Sequence, residues 1–173
     1  HTSKRKHRKR CRMMQPNTCY TPLLRLGIEE LPEATIHTDG ACLNNPGGPG
    51  GIGAIIQQNE KTIEISKGYP AVNEGEPRVT NNRMEMLACI EALRTLEESS
   101  SVTLYSDSQI VVNCAMGAWK RKANLDLWAE FDPLLERHSV TFKWVKGHAD
   151  NELNNRCDEL AGEAARACDC STL

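Results

Sequence analysis

ATIHTDGACLNNPGGPGGIGAIIQQNEKTIEIS, residues 34–66, decides how this chain folds. Residues 34–38 alternate and are rich in β-branched side chains, residues 51–56 are small and apolar, and residues 61–66 alternate with period two. Each of the three reads as a strand. Only Gln58-Asn59-Glu60 separates the second from the third, which predicts a hairpin. Asn44 to Gly50, NNPGGPG, is a composition suited to a tight, exposed backbone. Connections of this kind pair strands antiparallel, because parallel neighbours need a long crossover.

Downstream, the apolar period changes to that of helices. Residues 81–97 carry a stripe of Met86, Ile90 and Leu93, widened by Cys89 and Leu96, and predict a helix. Residues 102–105 read as a strand, 108–116 as a helix, and 125–137 as a helix holding Trp128, Phe131 and Leu135. Residues 140–145 read as a fifth strand. Leu153, Cys157, Leu160, Ala161, Ala164 and Cys168 then recur at helical spacing and give a closing helix one apolar face. The expected fold class is α/β: a mixed five-stranded sheet, three strands antiparallel and then two parallel, flanked by helices.

Composition agrees with one domain. The chain has 173 residues, 39% apolar and 25% charged, with a net charge of −2. Charge is unevenly spread: residues 1–28 hold eight Lys or Arg and no acid, so the thirteen basic and twenty-three acidic residues that follow leave a body of −10. Overall charge therefore does not draw a polyanion to the body, and any such affinity needs local basic patches, bound cations or the tail. No apolar run is long enough to span a membrane, and the basic start lacks the apolar segment of a secretory signal. A soluble, cytoplasmic, monomeric protein with no membrane partner is expected. The eight cysteines form no CxxC pair and are read as free thiols, with Cys89 and Cys157 on apolar helical faces. The expected organisation is a basic mobile arm and linker over residues 1–32, a catalytic domain over 33–168 and a tail over 169–173.

Four acids stand out. Asp39 is expected to end the first strand and open the glycine-rich turn, and Asp107 to end the fourth; open α/β sheets bind ligands at such carboxyl ends. Glu85 shares the core-facing sector of its helix with Cys89, Ala92 and Leu96. An inward carboxylate without a partner costs about 1–3 kcal/mol on protein-based scales. Asp158, one turn beyond Asn154, flanks the last apolar stripe. Were all four to meet, hard divalent cations would relieve their repulsion, and oxygen ligation suits Mg²⁺ or Mn²⁺ better than zinc. Singly, each has an ordinary reading: Asp39 as a turn residue, Asp107 as a helix cap, Asp158 as part of a solvated face, and His148 in its loop as a surface residue.

Together, Thr38-Asp39-Gly40-Ala41-Cys42, Thr80-Asn81-Asn82-Arg83-Met84-Glu85, Ser106-Asp107-Ser108-Gln109, Trp144-Val145-Lys146-Gly147-His148 and Asn154-Asn155-Arg156-Cys157-Asp158-Glu159-Leu160-Ala161 closely resemble the bacterial type 1 ribonuclease H family, over residues 34–165. The resemblance implies a ribonuclease H-like fold and endonucleolytic cleavage of the RNA strand of RNA·DNA hybrids, leaving a 5′-phosphate and a 3′-hydroxyl. It implies two Mg²⁺ ions, with Mn²⁺ as a substitute: Asp39 bridging both, Glu85 and Asp107 on one, Asp158 on the other. His148 matches a mobile family histidine that assists proton transfer or product departure. Asn45, Asn81 and Gln109 match minor-groove contacts, backbone groups near Cys42 approach the RNA, and Arg78 and Thr80 match residues that hold a DNA phosphate. Only the 2′-hydroxyl marks the RNA strand, and neutral donors suit its recognition. Two alternatives share these residues: a hybrid-binding module without catalysis, against which the complete carboxylate set argues, and the nuclease domain of a larger reverse transcriptase.

One departure concerns binding. Many relatives insert a basic helix after the fourth-strand helix; here only Gly117-Ala118-Trp119-Lys120-Arg121-Lys122 stands in its place. The arm Lys4–Arg12 reads either as a charged leader with no part in binding or as a flexible cationic segment that supplies part of the missing positive charge. On the second reading, deleting residues 1–28 should flatten the dependence of hybrid affinity on salt, since each lost phosphate contact lowers that slope. An unchanged slope in a filter-binding titration would exclude the arm from binding.

Overall fold

The computed structural model describes residues 30–72, 76–147 and 150–170, and the chain divides after Glu30. The expected arm thus lies outside the described residues as far as residue 29. The elements are β1 (Glu33–Cys42), β2 (Gly50–Gln58), β3 (Lys61–Tyr69), α1 (Asn81–Arg94), β4 (Ser101–Ser106), α2 (Gln109–Ala115), α3 (Leu125–Arg137), β5 (Ser139–Trp144) and α4 (Glu152–Cys170). They form a five-stranded sheet in the order β3-β2-β1-β4-β5. β1, β2 and β3 pair antiparallel, while β1–β4 and β4–β5 pair parallel, as expected from the sequence.

The small residues of β2 explain how helices cover both faces of the sheet. Ile52, Ala54 and Ile56 point to one side, where Ile52 packs with Met84 and Ala88 of α1, and Ala54 and Ile56 join Met86, Ile90 and Leu93. Gly51 and Gly53 point to the other. A methyl group at Gly53 would lie 2.0 Å from the Cys157 carbonyl oxygen, and one at Gly51 would lie 2.1 Å from that of Ala161. The backbone of α4 therefore rests directly on β2, which sequence alternation alone reads as a merely apolar strand. Beyond α1, Trp128 and Phe131 of α3 stack at 5.3 Å, and Phe131 meets Phe142 of β5 edge-on at 6.1 Å, closing the core on that face.

Four local expectations are corrected. The β2–β3 turn is two residues, not three: Gln58 pairs with Lys61, and Asn59 and Glu60 both adopt positive φ, the hairpin turn whose twist matches the strands. β1 continues to Cys42 because β2 keeps pairing with it after β4 has stopped. α1 ends at Arg94 rather than residue 97, since Thr95 turns its N–H and hydroxyl back onto the Ala92 carbonyl. The closing helix runs to Cys170, through the first two residues of the expected tail. The described cysteines 42, 89, 114, 157 and 168 are free thiols, as expected.

Gly53→Ala should destabilise the fold by about 1–3 kcal/mol or more, because neither α4 nor β2 can yield to the added methyl without losing packing. Urea unfolding measures this, and a stability equal to the parent's would contradict the close helix–strand contact.

Candidate active site

β1 forks, and the fork creates the site. It pairs with β4 only through His37, opposite Tyr105, but with β2 through Cys42. Asp39 therefore sits within β1, opposite Gly53, two residues past the last β4 pair. The expectation that it ends the strand is corrected, and so is its reading as a turn residue. Asp107 does follow the last residue of β4, but it is not the helix cap: the Ser108 hydroxyl caps α2 by accepting from the Val111 N–H. Both carboxylates stand where the parallel strands stop.

Glu85 reaches them through a close approach of backbones. Thr80 caps α1, its hydroxyl accepting from the Arg83 N–H at 3.1 Å. A Cβ on Gly40 would lie 2.4 Å from both the Glu85 nitrogen and the Met84 carbonyl carbon, so the first turn of α1 lies directly on β1. Arg83 ties the same turn to α3 through both oxygens of Asp126, at 2.9 and 2.6 Å.

Asp39, Glu85 and Asp107 each offer a carboxylate oxygen, all within 4.8 Å of one another. Asp39 is 6% exposed and Glu85 9%. Burial pushes the Asp39 carboxyl up to about 7, with further upward pushes from Asp107 and Asp158, while hydrogen bonds from Glu85 and the Gly40 N–H draw it down. Burial first, and then Asp39 and Asp107, hold Glu85 well above the usual carboxylate range. Each of the two buried carboxyls is raised by burial and bears on the other, and Glu85 Oε2 is buried with no hydrogen-bond partner among the described residues. Gly40 N–H donates to Asp39 Oδ1 at 2.8 Å.

Two cysteines border this cluster. The Cys157 thiol donates to the His37 carbonyl at 3.2 Å, and Cys89 meets the Thr38 hydroxyl at 3.5 Å. Burial pushes both thiols up to about 12, so they stay protonated and leave carboxylate oxygens as the donor set. Asp158 lies on α4, exposed and outside the three-oxygen cluster, yet on its side of the molecule, since it raises the Asp39 carboxyl.

The expected substrate contacts divide into two kinds. Asn45, Asn81 and Cys42 brace one another: the Asn45 side-chain Oδ1 accepts from the Asn81 backbone N–H at 3.1 Å, and the Asn81 side-chain Oδ1 accepts from the Cys42 N–H at 2.8 Å. Both side-chain amides are thereby turned so that their NH₂ groups are left for outside acceptors. The Cys42 N–H, by contrast, is used internally. Arg78, exposed, precedes Val79, whose carbonyl accepts from Gly47 N–H at 2.8 Å, and Gln109 is exposed on the first turn of α2. His148 lies outside the described residues. Residues 116–124 form no helix, in accord with the missing basic insertion, and instead border a cleft of about 570 Å³ lined by Ile110, Trp119, Lys120, Lys122 and Trp128. Sequence reasoning passed over Gly40, whose role depends on a helix more than forty residues away.

The ribonuclease H family model matches residues 32–166. A Ribonuclease H of Syntrophus aciditrophicus is 46% identical over 151 residues, covering 79% of this chain and 83% of that protein. One from Chlorobium luteolum is 49% identical, covering 75% and 93%. Among solved structures, the N-terminal RNase H domain of a Mycobacterium tuberculosis protein, fused to maltose-binding protein, superposes with a TM-score of 0.68 at 26% identity, covering 82% of this chain and 99% of that one. LC11-RNase H1 in complex with an RNA/DNA hybrid gives 0.64 at 27%, covering 78% and 97%. With the sheet order and the acidic cluster already in place, these matches make the chain a member of the ribonuclease H family and a nuclease.

Proposed function

We propose that this chain hydrolyses the RNA strand of RNA·DNA hybrids, leaving 5′-phosphate and 3′-hydroxyl ends, with two divalent cations held by Asp39, Glu85, Asp107 and Asp158. One observation carries the reading: three carboxylate oxygens within 4.8 Å, one of whose residues, Glu85, keeps a buried oxygen without a partner. Such a donor set fits a hard cation, Mg²⁺ or Mn²⁺, and not a soft one. When bound, the cations supply Lewis acidity for phosphodiester hydrolysis.

The chain's own residues do the rest. Asp39 and Glu85, buried and brought together where Gly40 lets α1 lie on β1, would present carboxylate oxygens to a cation. The outward amide groups of Asn45 and Asn81, with Gln109, suit donation to a 2′-hydroxyl, which is the mark of the RNA strand. Arg78 and Thr80 hold a phosphate of the DNA strand, and His148 handles a proton at the departing group. Trp119, Lys120 and Lys122 give the cleft beside Gln109 an aromatic and cationic wall, a surface of the type nucleic-acid strands occupy.

A labelled RNA·DNA hybrid, RNA duplex and DNA duplex incubated with Mg²⁺ test the reading. Cutting should be confined to the RNA of the hybrid, need the cation, and fall by at least about 100-fold in Asp107→Asn, as expected when a metal ligand is lost. Equal cutting of all three duplexes would refute the specificity.

Metal-free stability gives a second test. The Asp39 carboxyl stands near 7 in the fold against an ordinary 3.8, so the folded state holds its proton more tightly than the unfolded one. Its contribution is full below about pH 4 and is lost as pH rises through about 7. Melting temperature in chelator should fall between pH 5 and pH 8, and Mg²⁺ should raise it more at pH 8. Asp39→Asn should make that fall shallower, with the buried Glu85 supplying what remains, and a flat, Mg²⁺-insensitive profile in the parent would contradict the buried acid pair.

A further inference from the structure

Asp107 lies just past the end of β4, where the sheet ladder no longer fixes the backbone. The segment at the end of β5 holds this turn of chain instead. Trp144, the last residue of β5, pairs with Ser106, and its indole N–H donates to the Asp107 carbonyl oxygen at 2.9 Å. The next residue, Val145, donates its N–H to the Ser106 carbonyl at 3.0 Å. Two residues further, the backbone closes on the carboxylate itself: a Cβ at Gly147 would lie 2.7 Å from Asp107 Oδ2. The Trp144 side chain is 47% exposed, so burial does not explain a tryptophan there, whereas its single N–H donor does.

We propose that Trp144 and Gly147 are positioning residues for the nuclease reaction, fixing where Asp107 presents its carboxylate to Asp39 and Glu85. The inference rests on the reading of Asp107 as a cation ligand. Trp144 grips the backbone of that residue from one side, and Gly147, by having no side chain, leaves the carboxylate its place on the other. The two belong to one segment, which meets Asp107 at its backbone and at its carboxylate.

The three tryptophans, 119, 128 and 144, allow a test that does not read activity. In ¹⁵N-labelled parent protein titrated with Mg²⁺, the indole N–H resonance of Trp144 should shift, while those of Trp119 and Trp128 stay in place. Trp144→Phe keeps the ring and removes the donor. It should melt with the parent in chelator, weaken Mg²⁺ binding by calorimetry by about 10-fold, the lower end of what the outer partners of metal ligands contribute, and lower kcat without changing KM for the hybrid. Gly147→Ala should do the same by displacing the carboxylate, and it decides the matter if Trp144→Phe fails to fold. A stationary Trp144 resonance in a parent that binds Mg²⁺, or parental Mg²⁺ affinity and kcat in the folded variants, would overturn the proposal and leave the nuclease reading intact. A parent that neither binds Mg²⁺ nor cuts the hybrid would instead remove the nuclease reading, and this inference with it.

Discussion

Two carboxyl groups, Asp39 and Glu85, are buried against each other beside a third, Asp107, and most features around them answer to that crowding. Burial and the charge of the neighbouring acids raise both groups, so that each holds its proton more tightly than an exposed carboxyl does. The fold thus carries an intrinsic electrostatic strain at its centre, of the sort expected where a site is shaped for a charged ligand rather than for stability. The thiols of Cys89 and Cys157 are compatible neighbours because they stay neutral, and a further charged group at either position would add to the repulsion.

Glycine makes the crowding geometrically attainable. Gly40 lets the first turn of α1 lie on β1, which delivers Glu85 to Asp39; Gly51 and Gly53 let α4 lie on β2, which brings Asp158 to the same end of the sheet. Close backbone approach, not long side chains, sets the distances. That choice leaves little rotamer freedom at the site, and a carboxylate held by backbone contacts is pre-organised for whatever it binds. The mutual bracing of Asn45, Asn81 and Cys42 does for the loop after β1 what the glycines do for the acids.

Much of this was legible in the residues. Period-two alternation over residues 34–66 and period-3.6 stripes over 81–97 and 153–168 state which side of each element is apolar, and from that the mixed sheet follows. Glu85 betrayed itself by standing in an apolar sector. Boundaries are less legible: Asp-Gly is usual turn chemistry, so the sequence ends β1 at Asp39, and only continued pairing with β2 carries the strand on to Cys42. Asp107 was open to reading as a cap until the Ser108 hydroxyl was found in that role.

The sequence by itself determined the order of elements, the apolar face of each and the identity of the acids, because these depend on local periodicity and residue chemistry. Tertiary structure alone decided that Asp39, Glu85 and Asp107 share one space while Asp158 stands at its edge, that glycines and not side chains set those distances, and that Trp144 reaches across the β4–β5 ladder to Asp107. Such contacts join residues tens of positions apart, and their distances depend on how closely two backbones pack, a quantity no single stretch of sequence contains.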